Sequence, residues 1–160
     1  MKRFLVPFIM AVTLALFSCV NPISEPSNWQ IQTKTDSLTG EQIVIYSTTA
    51  IEVENVQLYP LYKPVLVIRN NKTKNIIEAF VVFYDYLSIF NMIKVEYKFD
   101  QGDITTEYWY PSTDGDAVFS PNPQNFIQRI RNSKELVFRA YDYAGDKKTL
   151  KFKVEGLPQF

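Results

Sequence analysis

This sequence predicts a mainly β fold, an antiparallel β-sandwich or small barrel with one short helix. Three observations carry that expectation. Short runs rich in branched and aromatic residues recur along the chain. Turn-forming Gly, Asn and Asp fall between them at regular intervals. Two of the later runs alternate apolar and polar residues, the two-residue period of a strand with one buried face.

In chain order the strand-like runs are 43–46, 65–68, 76–84, 93–99, 105–110, 135–143 and 149–154. Reversals are expected at Thr39-Gly40, Asn70-Asn71-Lys72, Asp100 to Asp103, Asp114-Gly115-Asp116 and Ala144-Gly145-Asp146, because these residues tolerate positive φ or hydrogen-bond their own backbone. Consecutive hairpins are therefore the simplest topology. Alternation is cleanest in 136–143 and 150–154, where Leu150, Phe152 and Val154 share a face, and the Gly145 turn should pair these two strands. The run Ala79 to Tyr84 is apolar on both faces, which fits a central strand or an aromatic surface. A helix is predicted over Pro123–Asn132, with Asn122 as its N-cap, Pro123 at the first helical position, and Phe126, Ile127 and Ile130 on one stripe. The segment Leu87 to Met92 fits a helical turn and a bent strand equally.

The N-terminus reads as an export signal. Lys2 and Arg3 precede an apolar run from Phe4 to Phe17, closed by the small residue Ser18. The run is too short and wrongly flanked for a stable membrane span. Leu16-Phe17-Ser18-Cys19 is similar to the bacterial lipobox, whose cysteine is acylated and becomes the new N-terminus after cleavage. Cys19 is the only cysteine, so an intramolecular disulfide or a two-cysteine redox or metal site is excluded. The expected organisation is a signal peptide over residues 1–18, a lipidated tether over 19–28 and one β-rich domain over 29–160. Several acyl chains on Cys19 would hold the protein firmly in a membrane, at about 0.8 kcal/mol per buried methylene. Val20 rather than Asp follows the cysteine, so in a two-membrane cell the outer membrane is the expected address.

The mature chain, 142 residues long after removal of residues 1–18, suits one domain with a real core. It carries 15 basic and 17 acidic side chains, which argues against a nucleic-acid partner. The densest basic stretch, Lys147-Lys148 with Lys151 and Lys153, reads as a solvated strand face.

Absences restrict the chemistry. Without histidine, Ser-His and Cys-His nucleophilic machinery and histidine-based zinc hydrolase motifs are excluded. Five scattered glycines supply neither a phosphate-cradling loop nor a dinucleotide turn. Carboxylate-only catalysis survives, with Asp100, Asp103, Glu107, Asp114 and Asp116 as candidates. The four aspartates lie in turns, however, where Asp caps backbone. Asp114 and Asp116 lack the twelve-residue loop of a calcium site. No catalytic residue, cofactor or metal is expected.

Aromatics make up 15% of the chain. In Glu107-Tyr108-Trp109-Tyr110, alternation sends Trp109 to the core and the two tyrosines to the other face. Tyr108 and Tyr110, joined by Tyr141 and Tyr143, form the candidate partner-binding patch, for protein or sugar.

A wider resemblance runs through Trp29, Ser37-Leu38-Thr39, Pro64 to Arg69, Phe99-Asp100, Trp109 to Gly115, Phe119, Phe126-Ile127, Ser133, Leu136 to Arg139 and Phe152 to Leu157. This series resembles the small exported domain of type VI secretion-associated VasI-like proteins and similar envelope or prophage-encoded lipoproteins. Its most specific parts are W-x-x-S-x-D-G at 109–115 and F-x-x-x-G-L at 152–157, and it departs from the pattern between Ile76 and Phe90. The resemblance implies an all-β envelope domain without an assigned activity. The expectation is a non-catalytic, membrane-anchored lipoprotein that binds or stabilises an envelope protein or assembly. The alternatives are a carboxylate-dependent glycan-acting enzyme and a prophage-derived exclusion lipoprotein.

Overall fold

The structure is a computed structural model and describes residues 28–57 and 62–160. The expected signal peptide, Cys19 and nearly all of the tether lie outside the described residues. Ten strands and one helix follow in the order β1 (Gln30–Thr35), β2 (Gln42–Thr49), β3 (Glu52–Glu54), β4 (Val65–Asn71), β5 (Ile76–Val82), β6 (Ile93–Phe99), β7 (Thr105–Pro111), β8 (Ala117–Phe119), α1 (Pro123–Arg131), β9 (Glu135–Tyr141) and β10 (Lys147–Lys153). They form one antiparallel sheet in the order β1-β2-β4-β5-β8-β7-β6-β9-β10-β3, curled into a half-barrel.

Local hairpins build most of it: β1–β2, β4–β5, β6–β7 and β9–β10 are consecutive pairs. Three connections depart from this pattern: β8 and β7 lie between β5 and β6, β3 leaves β2 and β4 to pair with β10 at the far edge, and α1 carries the chain from β8 to β9 across β7 and β6. The curl brings β2 against β10. Thr48 Oγ1 donates to the Lys153 carbonyl at 3.3 Å, and the Ile51 N–H donates to the Lys151 carbonyl at 2.8 Å as the chain passes from β2 into β3. Trp29 ties the N-terminal entry to the same seam through its indole N–H and the Val154 carbonyl, 3.0 Å apart.

Alternation decides what faces inward. Ile93, Val95, Tyr97 and Phe99 on β6, Leu136, Phe138 and Ala140 on β9, and Leu150 and Phe152 on β10 are all buried. Helix α1 presses Phe126, Ile127 and Ile130 into this trough. Asn122 caps it by accepting from the Asn125 N–H at 3.3 Å, and Pro123 opens it as expected. Trp109, fully buried, meets Phe126 at 5.0 Å and Phe138 at 4.9 Å between ring centroids. Its indole N–H donates to Glu107 Oε2 at 2.9 Å, so this inward carboxylate satisfies a buried donor.

The half-barrel has two poles. Strand β6 starts beside Met92 and ends at Asp100, where Asn28, Lys134 and Glu155 gather. The chain therefore enters the domain at one pole, and residues 83–92, 108–116 and 141–148 lie at the other, on the order of 20 Å away along a seven-residue strand.

Candidate functional site

The far pole gathers the exposed aromatic side chains. A groove of about 330 Å³ is lined by Phe90, Met92, Lys94, Tyr108, Tyr141 and Tyr143, with Ser88, Asn91, Ile93 and Asp142 completing it. Phe90 is 83% exposed, Tyr143 76% and Tyr108 57%, and Ile89, Met92 and Tyr86 are exposed beside them. Scattered single apolar residues are ordinary on a surface; a contiguous group of this size at one pole is the usual mark of an interaction site.

Sheet geometry sets the groove's wall. Lys94 pairs with Tyr108 across β6–β7, while Val95 pairs with Ala140 across β6–β9, so Tyr108, Lys94 and Tyr141 form one outward row. The Lys94 ammonium stands 4.5 Å from the centre of the Tyr141 ring and 2.9 Å from Glu96 Oε1. Glu96 Oε2 also accepts from the Tyr141 hydroxyl at 2.8 Å. The hydrogen bonds from Lys94 and Tyr141 hold the Glu96 carboxyl below its ordinary value, and the bond to Glu96 lifts Lys94 above its own.

Of the four tyrosines singled out from the sequence, three thus line one groove. Tyr110 lies two residues along β7 and pairs instead with Phe119, whose ring stacks on Phe80 at 4.6 Å. It belongs to a separate outer strip over β5 and β8. Phe90 and Met92 were not among the sequence candidates, because 87–92 has no periodicity, and Tyr86 lies just beyond the 76–84 run; the apolar Leu87, Ile89, Phe90 and Met92 between two strand-like runs were the signal available.

A second cleft adjoins the first. Tyr62, Tyr84, Asp85, Tyr86, Asp114 and Asp116 line it together with Gln57, and the Tyr86 and Tyr143 rings meet edge-on at 5.8 Å between centroids where cleft and groove touch. Tyr84 adopts φ 54°, an unfavourable left-handed conformation for a bulky residue, and its ring lies 5.2 Å from that of Tyr62. Gly115, at φ 74°, lets the Asp114-Gly115-Asp116 turn run directly under Tyr86: a Cβ there would come within 2.7 Å of the Tyr86 ring.

An ion-pair cluster underlies both. The Lys148 ammonium reaches Asp85 Oδ2 at 2.7 Å and Asp142 Oδ2 at 3.6 Å. The Gln57 N–H donates to Asp85 Oδ2 at 3.0 Å. Burial acts to raise the Asp85 pKa, but the hydrogen bond from Lys148, with that from Gln57, outweighs it and leaves the carboxyl below its ordinary value. Burial likewise acts to lower Lys148, and the bond to Asp85 outweighs it, so the ammonium is held above its ordinary value.

The candidate carboxylates are dispersed. Asp100 Oδ1 accepts the N–H groups of Lys134 and Glu135, at 3.0 and 2.9 Å, at the pole beside Asn28. Asp116 Oδ1 accepts from Ser112 Oγ at 3.0 Å, fixing its turn. Glu107 faces the core, as described above, and Asp103 is exposed between β6 and β7. Among the described residues no group of three or more His, Cys, Asp or Glu is arranged to hold a metal ion. No helix among them is long and apolar enough to cross a membrane.

No family model matches the chain, and no curated protein matches it. Among solved structures the chain is similar to invasion associated protein B from Bartonella henselae, at 13% identity, a TM-score of 0.52, and coverage of 81% of this chain and 85% of that one. At that identity the likeness concerns the fold.

Proposed function

We propose that this protein is a lipid-anchored, non-catalytic binding module of the cell envelope, which docks a protein partner through the aromatic groove at its far pole. The observation that carries the reading is the concentration of exposed Phe90, Met92, Tyr108 and Tyr143 at the pole opposite the chain's entry. A domain tethered through Cys19 and entered near Asn28 would hold that pole away from its own membrane, toward other envelope components. Large, rigid aromatics with a polar tip suit such contacts, since they bury much area at little cost in conformational freedom. The structural roles of Asp100, Glu107 and Asp116 favour binding over a carboxylate-based hydrolysis. The resemblance to envelope and prophage-encoded lipoproteins agrees with this reading and leaves the partner's identity open.

Photocrosslinking in intact cells tests it. A photoreactive residue at position 90 or 143 should capture one reproducible protein, and one at exposed Thr33 on edge strand β1 should not. Capture of unrelated neighbours from both positions alike would overturn the reading. Mass spectrometry and membrane fractionation of wild type beside Cys19→Ala test the anchor: a lipid-sized increment on a chain beginning at Cys19 supports it, and a soluble chain cut elsewhere removes it.

A further inference from the structure

We infer that the tyrosine-and-aspartate cleft beside the groove receives a lysine side chain of the docking partner. The inference rests on the proposed function, since the cleft and the groove share the Tyr86–Tyr143 contact and one ligand surface could cover both.

The chemistry is that of an ammonium site. Three tyrosines, Tyr62, Tyr84 and Tyr86, line the cleft together with Asp85, Asp114 and Asp116. Aromatic faces attract a cation through their quadrupole, and nearby carboxylates add charge and hydrogen-bond acceptors. The described lining includes no Lys or Arg side chain. Lys148, which reaches Asp85 from beneath, is nearly buried and shared with Asp142, so the cluster of Asp85, Asp142 and Lys148 still carries a net negative charge. Asp114 is exposed, and Asp116 has only one carboxylate oxygen engaged by Ser112.

The domain contains its own precedent for this arrangement. On the outer face of β6 and β9, the Lys94 ammonium sits between the Glu96 carboxylate at 2.9 Å and the Tyr141 ring at 4.5 Å. The cleft brings together the same tyrosine and carboxylate components; Lys148 engages Asp85 alone of the three, and no lysine stands among the described lining residues. A lipid headgroup is the less fitting source of the cation, because the cleft lies at the pole opposite the chain's entry from its tether.

The test uses the full-length lipidated chain in detergent micelles, with 3-fluorotyrosine incorporated and the resonances assigned through single Tyr→Phe variants. Nα-acetyl-lysine methylamide is the probe, its norleucine counterpart is the uncharged control, and phosphocholine is the headgroup control. The lysine probe should shift Tyr62, Tyr84 and Tyr86 saturably while leaving buried Tyr97 unmoved, and the response should weaken as salt rises. Asp114→Asn combined with Asp116→Asn should weaken the probe by about fivefold or more. Equal shifts from the norleucine control, a response to phosphocholine alone, or indifference to the double substitution would overturn the inference. These readouts need no partner. A lysine response without position-90 crosslinks would therefore count against the proposed docking and leave the cleft standing.

Discussion

The Lys148 ammonium lies 2.7 Å from Asp85 Oδ2, with the lysine side chain 11% exposed and the aspartate 13%. The two come from distant parts of the chain: Lys148 from β10 and Asp85 from the connection that carries the aromatic tip. Asp142, 8% exposed, completes the cluster just after β9. Removing the cation alone strands two nearly buried carboxylates. Lys148→Met should therefore cost about 3 kcal/mol, as for other broken buried pairs, and lower Tm by roughly 10 °C for a domain of this size. Urea unfolding of Lys148→Met beside the double variant Asp85→Asn/Lys148→Met checks the cause. The double variant should recover part of the loss, and a single-variant cost below about 0.5 kcal/mol would show the pair to be incidental.

The same cluster sets a pH window. The folded pKa of Asp85 is depressed below 3.8, so its contribution is complete above that value and is lost as pH falls through the folded pKa. The folded pKa of Lys148 is raised above 10.5, so its contribution is complete below that value and is lost as pH rises through the folded pKa. The cluster's contribution to wild-type stability should accordingly be flat from about pH 5 to 9, while the difference between wild type and Lys148→Met should begin to shrink at a higher pH on the acid side, because burial raises the Asp85 carboxyl that the variant leaves without its cation. Urea midpoints of both proteins across pH measure it directly, and other titrating groups common to the two proteins largely cancel in the difference. A difference that grows as pH falls below about 5 or rises above about 9 would contradict the assigned directions.

Gly115 offers a sharper local test. Its φ of 74° disfavours any side chain, and an added Cβ would sit 2.7 Å from Tyr86 Cε2 and 2.8 Å from Ile89 Cγ2. Gly115→Ala should destabilise the domain by at least about 1 kcal/mol and displace the Tyr86 ring from the Asp114–Asp116 turn. Fluorotyrosine spectra report the displacement at Tyr86 and, through the ring contact, at Tyr143. An unshifted Tyr86 signal would mean that the turn and the ring are not coupled.

The strands with strict alternation were the most legible part of this chain. In β6, β9 and β10 the two-residue period coincides with the buried face, and the Gly145 turn does pair β9 with β10. Helix α1 was equally legible, since Asn122 and Pro123 mark its start and Phe126, Ile127 and Ile130 its buried stripe. Strands β1, β3 and β8 were not expected. β1 is exposed throughout and polar except for Ile31 and is held by pairing with β2, while β3 and β8 have three residues each and exist because the curled sheet supplies partners. The insertion of β8 and β7 between β5 and β6 is a long-range choice that no local turn encodes. The site was half legible for the same reason. Alternation placed Tyr108 outward, but grouping it with Tyr141 and separating it from Tyr110 required the register of β6 between β7 and β9.

Two aromatic residues in the same part of the fold should answer truncation in opposite ways. Trp109 is fully buried among Tyr97, Phe126 and Phe138, and its indole N–H satisfies Glu107. Trp109→Ala should cost about 3–5 kcal/mol by opening a cavity and additionally remove the indole donor from the inward Glu107. Phe90, at 83% exposure, makes little use of its ring in the free domain, so Phe90→Ser should change stability by no more than about 0.5 kcal/mol. Tyr143→Ser should behave similarly, apart from the loss of its edge contact with Tyr86. Thermal unfolding separates the two classes, and crosslinking from a photoreactive residue at exposed Tyr108 reads the surface variants for function. Phe90→Ser and Tyr143→Ser should reduce capture at unchanged Tm. A large drop in Tm with Phe90→Ser would instead identify the tip as part of the core, and the case for a docking groove would then lose its main support.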